Sequence, residues 1–284
     1  PKITDKDNLR LLFVTEFFLQ FFTLAKTKID KEGGPWTPEF GMVSEVIDRM
    51  WVVWILKRMR GALDEKPKQW VELQAGIECL TQLLILIDNM SHASDPTLLE
   101  AAEVLQHQLY YNGDVLDFAI EGLQNYKEQS IAYLDSSVHL AYTLLRMLER
   151  WGKKKGDVYV RRKTKSKNRR RGKEEGVVDV ADVEDEANNE EEMIEEQMFT
   201  FEKFEAKFAN EDVTHTLLFY LGRFRELNEE AMKRVVSLIH RQAIKAKAEG
   251  LFFKSILAEQ KNFPRSQSYK DLVNLVNYLV RQFF

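Results

Sequence analysis

Apolar residues recur at three- and four-residue spacing along almost the whole chain, the period of one face of an α-helix. Leu9, Leu12, Phe13, Phe17, Phe21 and Leu24 form the first row, thickened by further aromatics on both sides. Gly33-Gly34-Pro35 breaks it, and Pro38 prolongs the loop. The spacing predicts a second helix over 42–63, with Val46, Met50, Val53, Trp54 and Leu56 buried, and a third over 70–87. Asp95-Pro96 opens a fourth, because Asp caps free N–H groups and Pro suits a first turn. Asn112-Gly113-Asp114 marks the next turn. A helix over 130–151 presents Ile131, Leu134, Val138, Leu145 and Leu148. Further on, Phe201, Phe204 and Phe208 begin another series. It continues through Val213, Leu217, Tyr220, Leu221 and Phe224, then Met232, Val236, Ile239 and Ala243. The last helix carries Leu272, Leu275, Val276, Leu279 and Phe283.

Strand signals are almost absent; residues 157–162 are a short extended candidate at most. Many helices with broad apolar faces and short loops predict an all-α fold, an armadillo- or HEAT-like helical solenoid. No clean repeat period is visible, so a compact irregular bundle remains the structural rival. The predicted division is a helical repeat region over 1–151, a charged flexible insert over 152–198, and a helical region over 199–284 continuing the same solenoid.

Charge sets the insert apart. Residues 152–173 hold twelve Lys or Arg and one acid, Asp157; residues 174–196 hold twelve Asp or Glu and no base. Neither half has an apolar period that could offset the entropy of ordering it, so a long disordered segment is expected. Over 284 residues the net charge is −4, so any site for a polyanion must be local. One cysteine, Cys79, excludes an intrachain disulfide and a cysteine metal cluster, and fits a reducing compartment. No run approaches 18 apolar residues without charge, so no membrane span is expected. The opening PKITDKDN has no initiator Met and no signal-peptide shape, as expected of an internal piece of a longer protein.

The motifs of nucleotide binding, zinc proteolysis and serine hydrolysis are missing. The histidines 92, 107, 139, 215 and 240 have no His or Cys at ligand spacing. His139 lies beside the apolar face of its helix and reads as a core or boundary residue. Acid pairs such as Glu191-Glu192 fall in the flexible run, where a general acid lacks a fixed, desolvated position. No catalytic residue, metal, cofactor or small-molecule substrate is assigned.

Polyanion binding is the chemistry that remains. Lys153, Lys154, Lys155, Arg161, Arg162, Lys163 and Lys165 are the candidate DNA contacts, because they are anchored at a helix end. Phosphate contacts of this kind position a duplex without reading it. Trp151 and Tyr159 are too sparse for a single-strand stacking platform. The distal Arg169–Arg171 reads as a DNA contact first, and nearly as well as an import signal or as a loop neutralised by its acidic neighbour. Arg234, Arg241 and Lys245 share one helical face and read as a solvated stripe. Phe252, Phe253, Leu279 and Phe283 are either core or a partner surface near the end of a solenoid.

Several stretches are similar to the Timeless family. DNLRLLFVTEFFLQFF at 7–22, VHLAYTLLRMLERW at 138–151 leading into DVYVRRK at 157–163, and FTFEKFEAKFANEDVTHTLLFYL at 199–221 carry the likeness. RVVSLIHRQAIKAKAEGLFFK at 234–254 and YKDLVNLVNYLVRQFF at 269–284 extend it, so that the chain resembles the later part of the N-terminal helical domain of a fungal fork-protection-complex subunit. The resemblance implies a nuclear, non-enzymatic scaffold of the replication fork. Such a scaffold pairs with a Tipin-type subunit, travels with the replicative helicase on duplex DNA, and supports pausing and checkpoint signalling. It also implies that residues 229–284 face the Tipin-type partner and that DVYVRRK and its basic continuation face DNA. Related chains are expected to have more residues between FFK at 252–254 and ILAEQK at 256–261. The competing reading is a generic armadillo-like nuclear adaptor whose basic insert is only an import signal.

Overall fold

A computed structural model describes residues 4–33, 39–111, 113–127, 129–155, 158–164, 193–199, 201–252 and 266–283. α1 (Asp5–Glu32) starts at a capping box in which Thr4 and Asp7 satisfy each other's backbone N–H groups. The single helix expected over 42–63 is divided. A 3₁₀ turn (Phe40–Val43) and the short α2 (Ser44–Ile47) precede α3 (Arg49–Asp64). The break falls at Asp48, whose extended backbone lets its carboxylate cap α3 by accepting from Met50 N at 2.8 Å. The buried face of α3 is Val52, Ile55, Leu56, Met59 and Ala62, so of the residues expected inside, Met50 and Val53 are exposed.

α4 (Trp70–Met90) is buried on most of its circumference, because α1, α3, α5 (Pro96–Tyr111) and α7 (Ile131–Lys155) all pack on it. The Asp95-Pro96 start of α5 forms as expected, with Asp95 Oδ1 accepting from Thr97 N at 2.9 Å. α6 (Asp114–Gln124) follows Gly113, whose φ of 72° is a conformation glycine adopts without strain. Asn210 caps α9 (Glu211–Gly222) and separates it from α8 (Phe201–Phe208), and Asn228 caps α10 (Glu229–His240). α10 passes into a π turn (Arg241–Lys245) and a 3₁₀ turn (Glu249–Phe252), and α11 (Gln267–Phe283) closes the described chain.

The helices form two rows. α4, α7, α10 and α11 lie successively against one another, and α5, α6 and α9 run beside them. Stacked helix pairs of this kind are an α-helical solenoid, in which each unit touches chiefly its neighbours. The only strands among the described residues are β1 (Val158–Thr164) and β2 (Met193–Phe199), an antiparallel pair, with β1 also touching α5. The extended candidate at 157–162 is therefore a strand over its described part. Of the flexible insert expected over 152–198, residues 165–192 lie outside the described residues.

Among the described residues two helices, α1 and α4, are long and apolar enough to cross a membrane by length and composition, where none was expected. Most of the apolar surface of α4 is taken up by its four neighbours, with Val71 in its first turn left exposed. α1 packs chiefly on α4, and its buried residues are Leu12, Thr15, Leu19 and Phe22, with Leu9 partly buried against the core. Phe13, Phe17, Phe21 and Leu24, prominent in the first apolar row of the sequence, stay exposed.

Candidate nucleic-acid interface

The basic segment begins in the last turn of α7, one turn beyond its expected end. Lys153 sits four residues after Glu149 and pairs with it at 3.1 Å, and cations here complement the partial negative charge of a helix C-terminus. Lys154 and Lys155 complete α7. Arg161, Arg162 and Lys163 lie in β1. The register sets Arg161 opposite Glu196 and Arg162 opposite Glu195, with Lys163 opposite Ile194. Opposite charges across a strand pair favour such a register. Lys165 lies outside the described residues.

The ribbon rises from a closed base. A Cβ placed on Gly152 would lie 3.6 Å from Cβ of Phe201, so the end of α7 touches the start of α8. Trp151 is buried there, edge-on to Tyr110 at 5.0 Å between ring centres. Arg241 ties the two helices together: it donates to Glu205 of α8 at 2.9 Å and also to Glu149 of α7, with Phe201 under its guanidinium. Lys245 Nζ reaches Glu149 Oε1 at 2.7 Å. Burial acts to raise the Glu149 pKa, but hydrogen bonds from Lys245, Arg241 and Lys153 outweigh it and bring it down to about 2. Burial raises the Glu205 carboxyl, against the pull of Arg241. Arg241 and Lys245 are thus structural cations rather than the solvated stripe expected of them. Arg234, also on that stripe, pairs with Glu230 at 3.2 Å. The π turn carries Arg241 and Gln242 inward. Gln242 is fully buried and satisfied by Phe208 O at 3.0 Å and Thr214 Oγ1 at 3.2 Å. The four-residue spacings Glu149–Lys153 and Arg241–Lys245 are the traces of this network in the sequence.

On the other candidate surface, Phe252 and Leu279 are 1% and 3% exposed and fill the core of the chain itself. That is the packing alternative left open for them, and it withdraws both side chains from the surface. Phe253 lies outside the described residues, and Phe283 is in the last turn of α11. What α7, α10 and α11 do present is a groove of about 510 Å³, lined by Tyr142, Lys233, His240, Asp271, Asn274 and Tyr278 among others. Burial, then Lys245 and Arg241, lowers the His240 pKa, which favours its neutral form. Among the described residues no group of three or more His, Cys, Asp or Glu is arranged to hold a metal ion.

α9, α10 and α11 are the helices with a counterpart in a defined family. Residues 211–284 match the family model described as TOF1-like, helical domain. The likeness to whole proteins extends well beyond this TOF1-like segment. The chain is 42% identical along its full length to topoisomerase 1-associated factor 1 of Cryptococcus neoformans var. neoformans, covering 29% of that protein. It is 30% identical over 86% of its length to the protein of the same name in Phaeosphaeria nodorum, covering 22% of it. The Aspergillus niger protein is 29% identical over 89% of the chain, with 23% of its own length covered. The chain thus spans less than a third of the length of these curated relatives.

Proposed function

We propose that the chain is part of a Timeless/Tof1-type replication factor, a nuclear, non-enzymatic helical scaffold. It contacts duplex DNA through the end of α7 and the basic strand β1, and a Tipin-type subunit through the α10–α11 face. The observation that carries this reading is the 42% identity to a topoisomerase 1-associated factor over an alignment that covers the whole chain. Association with the replicative helicase, and with topoisomerase 1 as the relatives' name states for them, belongs to the same reading. So does a role in fork stability, pausing and the replication checkpoint. Support for the DNA side comes from Lys153, which lies in the last turn of α7 where that helix meets α8, and from the basic residues that follow in β1. The partner side falls to the groove between α10 and α11, with Tyr278 at its edge, rather than to Phe252 or Leu279.

Duplex binding measured against salt tests this. The contact offers charge and no groove-reading helix, so affinity is sequence-tolerant. With about four phosphates neutralised, log affinity falls with log salt at a slope of roughly −3 to −4. Changing Lys153, Lys154, Lys155, Arg161, Arg162 and Lys163 to Glu weakens binding uniformly across sequences. Unchanged affinity at low salt would instead favour a nuclear adaptor whose basic residues serve only in import.

A further inference from the structure

The side of α7 that packing leaves open carries Asp135, His139, Tyr142, Arg146 and Lys153 at helical spacing. Tyr142 lines the groove of about 510 Å³ together with Lys233 and His240 of α10 and Asp271 and Tyr278 of α11. Arg146 stands one turn further along the same side of α7. The floor of the groove is aliphatic, with Val236, Ile244 and Leu275. Most cations around it are neutralised: Arg234 by Glu230, Arg150 by Asp88, and both Lys153 and Lys245 by Glu149. Among the described residues Lys233 and Arg146 form no ion pair. Asp271 is the single carboxylate among the described lining residues, and it already accepts from Gln267 Nε2 at 2.9 Å. The groove thus joins an apolar floor to two uncompensated positive charges.

That combination selects its occupant. A phosphate backbone calls for charge and gains nothing from aliphatic side chains, and two tyrosines are too few for a row of stacked bases. An extended peptide adds to a sheet edge, and three helices offer none. A helix satisfies its own backbone and brings side chains at i, i+4 and i+7 into a groove. From Asp271 to Tyr278 the α11 wall runs about 10 Å at 1.5 Å per residue, the reach of those three anchors. We propose that the groove of α7, α10 and α11 receives an acidic amphipathic helix of the Tipin-type subunit. Its apolar row lies on Val236, Ile244 and Leu275, and its flank turns Asp or Glu towards Lys233 and Arg146. This rests on the reading of the α10–α11 face as the partner side, and adds the chemistry that the partner brings to it.

The test measures binding of the purified Tipin-type subunit to the full-length protein at low salt. Lys233 and Arg146 are exposed, so Lys233→Glu with Arg146→Glu leaves the helical circular-dichroism signal intact. Affinity is expected to fall about tenfold and to lose much of its salt dependence, as charges at an interface rim do. Asp271→Lys is expected to act the other way and tighten binding severalfold, whereas a general disturbance of the groove would weaken it in both variants. Tyr278→Cys carrying a thiol-linked photo-crosslinker is expected to capture a segment of the subunit with Leu, Ile or Phe at three- and four-residue spacing and Asp or Glu beside them. Cys79 stays out of this labelling, because burial, with Glu16 nearby, pushes its thiol up to about 12. Subunit binding that all three charge changes leave untouched, or capture of a segment rich in Lys and Arg, would overturn the proposal and leave the partner reading in place. Failure of the subunit to bind the unaltered protein would remove that reading and the proposal with it. Capture at position 278 of a second copy of this chain, or of an added single-stranded oligonucleotide, in place of the subunit would also overturn it.

Discussion

His139 sits half-buried on α7, between Arg234 of α10 and Asp135 of its own helix. Burial, and then the Arg234 charge, bring its pKa down to about 4, with Asp135 opposing. The folded state therefore holds a neutral imidazole that the unfolded chain would protonate near 6.5. The sign follows from linkage: a depressed folded pKa gives a contribution that is full above about 6.5 and is lost as pH falls towards about 4. His139→Gln is expected to flatten this part of the stability profile, read as the change in thermal midpoint between pH 7 and pH 4.5. An unaltered slope would show that His139 is not the group titrating. This position was legible, since the sequence sets His139 beside the apolar face of its helix. Arg241 was not. Its inward turn depends on a π turn for which the residues 241–245 carry no signal, so an ordinary helical projection put it in solvent.

At the scale of elements, helix starts were legible where a capping side chain or a turn glycine met an apolar period, as at Asp95 and Gly113 respectively. The break at Asp48 was missed because Val46, Met50, Val53 and Trp54 keep helical spacing straight through it. Only the capping role of Asp48 explains why the chain turns there. The ribbon was half visible: β1 has Val158, Tyr159 and Val160, but its partner strand sits inside an acidic run that composition alone assigns to disorder. Pairing depends on a partner more than thirty residues away, which local pattern does not register. The register itself makes a prediction. Glu195 and Glu196 lie opposite the arginines proposed to meet DNA, so they compete with phosphate for the same charges. Glu195→Gln with Glu196→Gln is expected to tighten duplex binding by severalfold at low salt and to leave the helical circular-dichroism signal unchanged. Weaker or equal binding would mean that β2 does not screen β1.

For the whole molecule, the order of helices and the solenoid class followed from periodicity, because each helix needs only its neighbours. Which face of a helix is covered did not follow. α1 and α3 have apolar residues on two sides, and packing chose the Leu12-Leu19-Phe22 side of one and the Val52-Ile55-Met59 side of the other. The partner candidates Phe252 and Leu279 show the same limit: an apolar residue near the chain's end reads alike as core or as interface. One prediction belongs to this scale. Replacing residues 156–200 with a short Gly/Ser linker is expected to leave the thermal midpoint within a few degrees, because Arg241, Glu149, Glu205 and Phe201 hold α7 against α8 without the ribbon. Duplex binding should lose most of its salt dependence. A collapse of helical signal would show that the ribbon supports the stack.

Because Gly152 and Phe201 meet at the base of that segment, its length is uncoupled from the body beneath it. Closing a flexible loop costs only about 0.6 kcal/mol more for each doubling of its length. Across generations this point can lengthen, shorten or change sign of charge while every helix keeps its place. Divergence between lineages is therefore expected here to alter reach and ionic character rather than architecture, a place to gain new electrostatic behaviour without refolding.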